Sequence, residues 1–184
     1  MASLRVLAFA GSLRKGSFNR ALLRLAGEVA PKDMDLLSFD IAPIPLYDGD
    51  VEAAGLPEPV QRFRDQIRSA DALLIVTPEY NYSIPGVLKN AIDWASRPPA
   101  QPFAGKPVAI MGAGGGLGTA RSQYHLRQVC TSLDMHPLNK PEVFVRIAEA
   151  FEKDGTLKDE AVRAKVTDLL DALLAWTRRV RGEA

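Results

Sequence analysis

The run Val6-Leu7-Ala8-Phe9-Ala10 is apolar without interruption and ends at Gly11. A run of that length reads as a strand buried on both faces, which belongs inside a sheet covered on both sides. The loop after it carries Ser12, Leu13, Arg14, Lys15, Gly16 and Ser17. A helical pattern then places Phe18, Leu22, Leu25, Ala26 and Val29 on one face. Strand, small polar loop and helix form the arrangement in which backbone N–H groups and a helix N-terminus receive a phosphate. Ser12, Ser17 and Asn19 add neutral donors, and Arg14 and Lys15 add charge.

Two familiar phosphate motifs fail here. Gly11 and Gly16 have the Walker A spacing, but Ser17 stands where that motif needs Lys, and Phe18 where it needs Ser or Thr. The dinucleotide pattern Gly-x-Gly-x-x-Gly fails at Leu13. What is left is a hydroxyl- and amide-rich loop with no obvious Mg²⁺ ligand. It suits a terminal monophosphate, as in FMN, better than a nucleoside triphosphate. An ordinary βα turn with a helix cap accounts for the same residues, and this loop alone does not separate the two.

The rest of the chain alternates in the same way. Met34 to Phe39 reads as a second strand, and the proline-punctuated segment Ile41 to Asp48 as a loop. Pro57 to Ser69 reads as a helix with Val60, Phe63 and Ile67 in register. Asp71 to Thr77 is a third, fully apolar-cored strand. Its loop opens a helix from Val87 to about Ser96, closed by Pro98-Pro99. Lys106 to Met111 is a fourth strand, Gly112 to Gly118 a glycine-rich loop, and Thr119 to about Leu133 a helix. Met135 to Leu138 and Val143 to Ile147 make a fifth strand in two pieces. The last helix runs from about Leu157 to Val180. Alternating strands and helices mean right-handed βαβ units and a parallel sheet. Five strands in 184 residues fit the flavodoxin-like α/β fold, doubly wound in the order 2-1-3-4-5 with helices on both faces. No linker or repeat divides the chain, so residues 1–184 are expected to form a single domain.

In such a sheet, ligands bind beyond the carboxyl ends of the strands at the switch point, here between the first and third strands. The loops concerned begin at Gly11 and Pro78, with the Gly112 loop beside them. They are also the three strangest in composition. Pro78-Glu79-Tyr80-Asn81-Tyr82-Ser83-Ile84-Pro85-Gly86 has the makings of a platform for a flat ring. Its prolines fix the backbone, Tyr80 and Tyr82 offer faces or edges, and Asn81 offers a donor and an acceptor. A rigid turn with tyrosines packed on a neighbouring helix is the plainer account. The Gly112 loop carries little side-chain chemistry, and plain flexibility accounts for it better than close approach to a ring.

Composition narrows the function classes. The chain is 47% hydrophobic and 24% charged with a formal net charge of +1, which argues against a nucleic-acid partner held by bulk charge. One cysteine permits no intrachain disulfide. The two histidines are isolated, and no Cys/His cluster has metal-ligand spacing. No run approaches the ~18 apolar residues of a membrane span, and the N-terminus lacks a signal-peptide stretch. A cytoplasmic protein without a membrane or nucleic-acid partner is expected.

Gly11-Ser12-Leu13-Arg14-Lys15-Gly16-Ser17-Phe18-Asn19, together with Pro78 through Trp94, strongly resembles the NADPH-dependent FMN reductase family, closest to the bacterial flavin-dependent quinone and chromate reductases. Ile44-Pro45-Leu46-Tyr47-Asp48 and Gln123-Tyr124-His125-Leu126-Arg127-Gln128 extend the likeness. The resemblance implies one FMN per subunit, with its phosphate held by residues 12–19 and its isoalloxazine by Pro78, Glu79, Tyr80 and Asn81. Ala113 and Gly114 would contribute from the third loop. Relatives often carry serines there, so any contact in this chain must come from backbone. NADPH or NADH would reduce the flavin, and a quinone, azo compound, free flavin or chromate would take the electrons. No side chain needs to act as acid or base, so no catalytic side chain is assigned.

The rival reading is a flavodoxin-type electron carrier without a small-molecule substrate. The net charge of +1 argues against it, since such carriers are strongly acidic. A second rival is a phosphate-binding module without redox function. Assembly enters through the helix from Thr119 to Leu133. Leu126, Val129, Cys130 and Leu133 form its core face, which puts Arg121, Tyr124 and Gln128 on the opposite side. A tyrosine there fits an interface or a solvated face about equally. The resemblance implies dimers that pair into homotetramers, with Arg121, Tyr124 and Glu142 at the interface and Tyr82 nearby.

Overall fold

The computed structural model describes residues 3–183. Strand β1 (Leu4–Ala10) lies between β2 (Met34–Phe39) and β3 (Ala72–Val76), and β4 (Pro107–Gly114) follows β3, all parallel. The fifth position holds two short pieces, β5 (His136–Pro137) and β6 (Val143–Arg146), both paired with β4. Pro137, Pro141 and a five-residue excursion between the pieces interrupt the ladder, because proline donates no N–H. The strand order is therefore 2-1-3-4-5, as the alternation of elements anticipates.

Alternate residues of each central strand feed two separate cores. Val6, Ala8 and Ala10 of β1, with Ala109, Met111 and Ala113 of β4, face helices α1 (Phe18–Glu28) and α7 (Glu160–Val180). Leu7, Phe9, Leu73 and Ile75 face the other way, towards α3 (Glu58–Ser69), α4 (Gly86–Ala95) and α5 (Ala120–Ser132). The expected helix stripes are the buried ones. Leu22, Leu25 and Ala26 are buried on α1, and Val60, Phe63 and Ile67 on α3. On α7, Val162, Val166, Leu169, Leu170 and Leu173 are buried, whereas Trp176 is half-buried and donates its indole N–H to the His136 carbonyl.

Three boundaries differ from the sequence reading. Strand β4 runs on through Gly114, because Gly112, Ala113 and Gly114 continue the register with Phe144, Val145 and Arg146 of β6. The last helix begins at Glu160, capped by Asp159, while Leu157 pairs with Phe151 in an isolated bridge. Two short helices are additional: α2 (Gly49–Ala54) follows the loop read as ending at Asp48, and α6 (Ile147–Ala150) starts at the residue read as a strand end. Asp48 makes α2 possible by accepting from the Asp50 N–H at its N-terminus. Among the described residues, no helix is long and apolar enough to cross a membrane.

Candidate functional site

The loops after β1, β3 and β4 meet beyond the carboxyl ends of those strands in one cleft of about 360 Å³. The first loop and helix turn contribute Ser12, Arg14, Ser17, Phe18 and Asn19. The second loop contributes Pro78, Glu79 and Tyr80, and the third Ala113, Gly114 and Gly115. Ile147, which opens α6, completes the wall. Gly115 and Ile147 escape the sequence reading. Ile147 looks there like the apolar end of a strand, and only the turn into α6 brings it over the cleft. A wider groove of about 860 Å³ runs along β2 and α3, away from the switch point.

Gly11 sets the path of the first loop. A Cβ on it would stand 3.0 Å from Leu88 Cβ of α4, so a side chain here would need Leu88 to give way by a few tenths of an ångström. Residues 12–16 give none of their backbone N–H groups to an acceptor within the described chain, and neither do Phe18 and Asn19 at the start of α1. Ser17 caps α1 by accepting from the Arg20 N–H, while the Ser12 hydroxyl has no partner among the described residues. Arg14 reaches over the Phe18 ring, 5.7 Å from its centroid. Free amides, two hydroxyls and one guanidinium at a helix N-terminus make a phosphate-shaped donor set. Leu13, Lys15 and Gly16 lie on the outer arc of the loop. They are exposed and line no part of the cleft.

Asn19 lines the cleft with its backbone N–H unpaired in the described chain, while its buried side-chain amide bridges to β4. Nδ2 donates to the Ala113 carbonyl at 2.9 Å, and Oδ1 accepts from the Ala113 N–H at 2.8 Å. The side chain imitates a strand neighbour and ties the first loop to the third strand of the site. The same bond corrects the reading of Ala113, whose backbone is held by Asn19 rather than open to a ligand. The glycine-rich segment is also not a flexible loop at its start. A Cβ on Gly112 would fall 2.0 Å from the Thr77 carbonyl oxygen, and one on Gly114 2.0 Å from that of Gly118. These glycines let β4 pass against the ends of β3 and α5.

Glu79 is the residue whose role sequence reasoning misses most. Its carboxylate does not face the cleft. Oε2 accepts from the backbone N–H groups of Arg121 and Ser122, and Oε1 accepts from Nε and Nη2 of Arg121 at 2.7 Å each. It thereby caps α5, whose own Thr119 provides no side-chain cap. What Glu79 leaves for a ligand is its main chain, and its N–H has no acceptor in the described chain. Beyond it, Tyr80 and Ser83 exchange backbone hydrogen bonds across a tight turn. Its central residues, Asn81 and Tyr82, have φ of 50° and 65°. Both positive values match the type I′ turn, where Asn is favoured and Tyr is not. The turn carries Asn81 to its tip, outside the residues that line the cleft.

On α5, Tyr124 is exposed and donates to Glu142 at 2.7 Å within the same chain. Lys140 and Tyr124 together hold the Glu142 carboxyl below its ordinary range. Within the chain Arg121 pairs with Glu79. Cys130 is buried, and desolvation pushes its thiol up to about 12, so it stays protonated and unreactive. Among the described residues, no group of three His, Cys, Asp or Glu side chains could hold a metal ion.

The family described as NADPH-dependent FMN reductase matches residues 4–150. The chain belongs to that family. It is 58% identical over 181 residues to an NAD(P)H-dependent FMN reductase of Pseudomonas aeruginosa, covering 97% of this chain and 98% of that one. A quinone reductase of Escherichia coli is 46% identical over 183 residues, covering 97% of both chains. Among solved structures, a flavoenzyme NAD(P)H:(acceptor) oxidoreductase from Paracoccus denitrificans superposes with a TM-score of 0.85 at 36% identity. That match covers 96% of this chain and 98% of that one. This member of the FMN reductase family is therefore an oxidoreductase that uses FMN and NAD(P)H, and an enzyme rather than a carrier. The cleft fits that cofactor. Its unpaired amides and the Ser12 hydroxyl come from the first loop, and the main-chain N–H of Glu79 and the Tyr80 ring come from the second.

Proposed function

We propose that this FMN reductase family member is a cytoplasmic, single-domain NAD(P)H:quinone oxidoreductase whose FMN binds in the switch-point cleft. The observation that carries this reading is the convergence of three loops on unpaired donors at the α1 N-terminus, with Tyr80 contributed by the second loop. Ser12, Ser17, Arg14 and the amides of residues 12–16 hold the phosphate. The main chain of Pro78, Glu79 and Tyr80 orients the ring, and Gly114 and Gly115 flank it. Bound FMN supplies the redox chemistry, taking hydride from a nicotinamide and delivering electrons to the acceptor. The protein's part is to bind, orient and exclude water, so no side chain serves as acid or base. The relatives named as quinone reductases support a quinone acceptor. Azo compounds, free flavin and chromate are further acceptors that an open ring face admits. The lone buried thiol supports a reducing, cytoplasmic setting.

The test begins with colour: the purified protein should be yellow and should oxidise NAD(P)H when a quinone is added. A colourless protein that binds no added FMN would overturn the reading. With the ring face flanked by the Pro78 and Gly112 loops, nicotinamide and acceptor use it in turn. Double-reciprocal plots at several quinone concentrations should therefore be parallel. Intersecting lines would mean that both substrates fit at once. Arg14→Ala should weaken FMN binding roughly tenfold to a hundredfold, the worth of one charge-assisted phosphate bond. Fluorescence titration of the apoprotein measures this, and unchanged affinity would remove Arg14 from the phosphate site.

The assembly proposed is a homotetramer, a dimer of dimers, with Tyr82, Arg121, Tyr124 and Glu142 at a subunit contact. Its support is the exposure of Tyr82 and Tyr124, at 65% and 52%, on neighbouring elements beside the cleft. Sedimentation of the wild type at micromolar concentration should give four chains, and Tyr124→Glu should give a smaller species with altered quinone turnover. A wild-type monomer refutes the assembly. A smaller Tyr124→Glu species with unchanged kinetics refutes only its link to the site.

A further inference from the structure

Thr77 and Ser122 are wholly buried polar residues, and neither lines the cleft. Their hydroxyls form a chain that ends on it. Thr77 Oγ1 donates to the Pro78 carbonyl at 2.8 Å and lies 3.1 Å from Ser122 Oγ. Because the single Thr77 hydroxyl proton goes to Pro78, Ser122 is the donor of the second bond. Ser122 also holds the residue on the other side, since its backbone N–H donates to Glu79 Oε2. The pyrrolidine ring fixes φ of Pro78. The peptide between Pro78 and Glu79 is therefore held at its carbonyl, at the residue before it and at the residue after it.

That peptide is trans, so its carbonyl and its N–H point in opposite directions. The carbonyl is turned inward, to Thr77. The Glu79 N–H is turned the other way and has no acceptor in the described chain, and both Pro78 and Glu79 line the cleft. A peptide free to turn over would offer the cleft its donor or its acceptor. This one offers its donor only.

We propose that Thr77, braced by Ser122, is a positioning residue for the flavin: it locks the Pro78–Glu79 peptide with its N–H towards a nitrogen of the flavin ring, and so favours the oxidised ring over the reduced one. The proposal rests on the reading of the cleft as an FMN site and deepens it. Hydride transfer breaks a C–H bond of the nicotinamide and forms an N–H bond on the ring, moving two electrons. A ring nitrogen that accepts from Glu79 beforehand then carries a hydrogen of its own, and the locked peptide cannot turn its carbonyl to meet it. Reduced flavin held this way gives up its electrons more readily to the acceptor.

The experiment measures binding and potential together. Thr77→Val removes the hydroxyl with little change of shape, and Thr77→Ser keeps it. Fluorescence titration of apoprotein gives the dissociation constant of oxidised FMN. Anaerobic titration of the FMN-loaded protein against an indicator dye gives the midpoint potential of the bound flavin. In Thr77→Val the dissociation constant of oxidised FMN should rise about tenfold, the upper worth of one neutral hydrogen bond. That of reduced FMN should hardly change, so the potential should rise by about 30 mV, one decade for a two-electron couple. Thr77→Ser should match the wild type. Ser122→Ala removes only the brace and should raise the potential by a smaller amount, and it carries the test if the valine variant does not fold. A merely structural role would weaken both oxidation states alike and leave the potential where it was. An unchanged or lowered potential, or a serine variant that behaves like the valine one, would overturn the proposal. Wild-type protein that binds no FMN would instead overturn the reading of the cleft, and this proposal with it.

Discussion

Gly112→Ala should lower folding stability by about 3 kcal/mol or more, at the upper end of overpacking costs, and the melting temperature by roughly 6–12 °C for a chain of this size. The added Cβ would stand 2.0 Å from the Thr77 carbonyl oxygen and 2.4 Å from Thr119 Oγ1. The carbonyl cannot swing aside. The Thr77 N–H donates to Met111, and the Thr77 hydroxyl is held between the Pro78 carbonyl and Ser122. Relief must come from separating β4 from the end of β3, beside the cleft proposed for FMN. FMN affinity should therefore fall together with stability. Gly116→Ala is the control, since nothing lies within 4 Å of its added Cβ. Equal melting temperatures for the two variants, read by calorimetry on apoprotein, would refute the packing argument.

Asn19→Ala should cost about 2–5 kcal/mol, because it leaves two backbone groups of Ala113 without partners in the interior, each worth about 1–3 kcal/mol. Asn19 is 4% exposed and Ala113 1%, so water replaces the lost bonds poorly. The effect on the cofactor should exceed the effect on the fold. The clamp fixes the phosphate loop against β4, and without it the free amides of residues 12–16 lose their common aim. Urea midpoints of apoprotein and FMN-saturated protein should both fall, and the gap between them, which measures binding to the native state, should narrow. Asn19→Asp should be nearly as damaging, since a carboxylate accepts from the Ala113 N–H but repels its carbonyl. If the apo midpoint falls while the gap stays at its wild-type size, Asn19 serves the fold alone.

The two glycine-bearing loops show how differently a sequence exposes its reasons. At Gly11, the end of an apolar run and the start of an amphipathic helix mark the loop, because each signal lies within a few residues. At Gly112 the same residue type reads as flexibility. The atoms that demand glycine there belong to Thr77 and Thr119, and nothing in the local string reveals them. Asn19 and Glu79 follow the same division. Both stand in loops recognisable as functional, and both were read as ligand-facing. Each in fact directs its side chain inward, to Ala113 and to the first turn of α5.

By itself, the sequence determined the order and kind of the main elements, the parallel sheet with its 2-1-3-4-5 order, and the three loops that meet in one cleft. Those properties follow from short-range periodicity and from the rule that ligands gather at the switch point of such a sheet. Only the tertiary structure decided which residues of those loops face the cleft and which hold the loops in place. The deciding bonds join Asn19 to Ala113 across 94 positions and Glu79 to Arg121 across 42, and they exist only once β1, β3 and β4 are side by side. A hydrogen-bonding side chain satisfies whichever partner the folded sheet brings within about 3 Å, and its neighbours in sequence do not choose that partner.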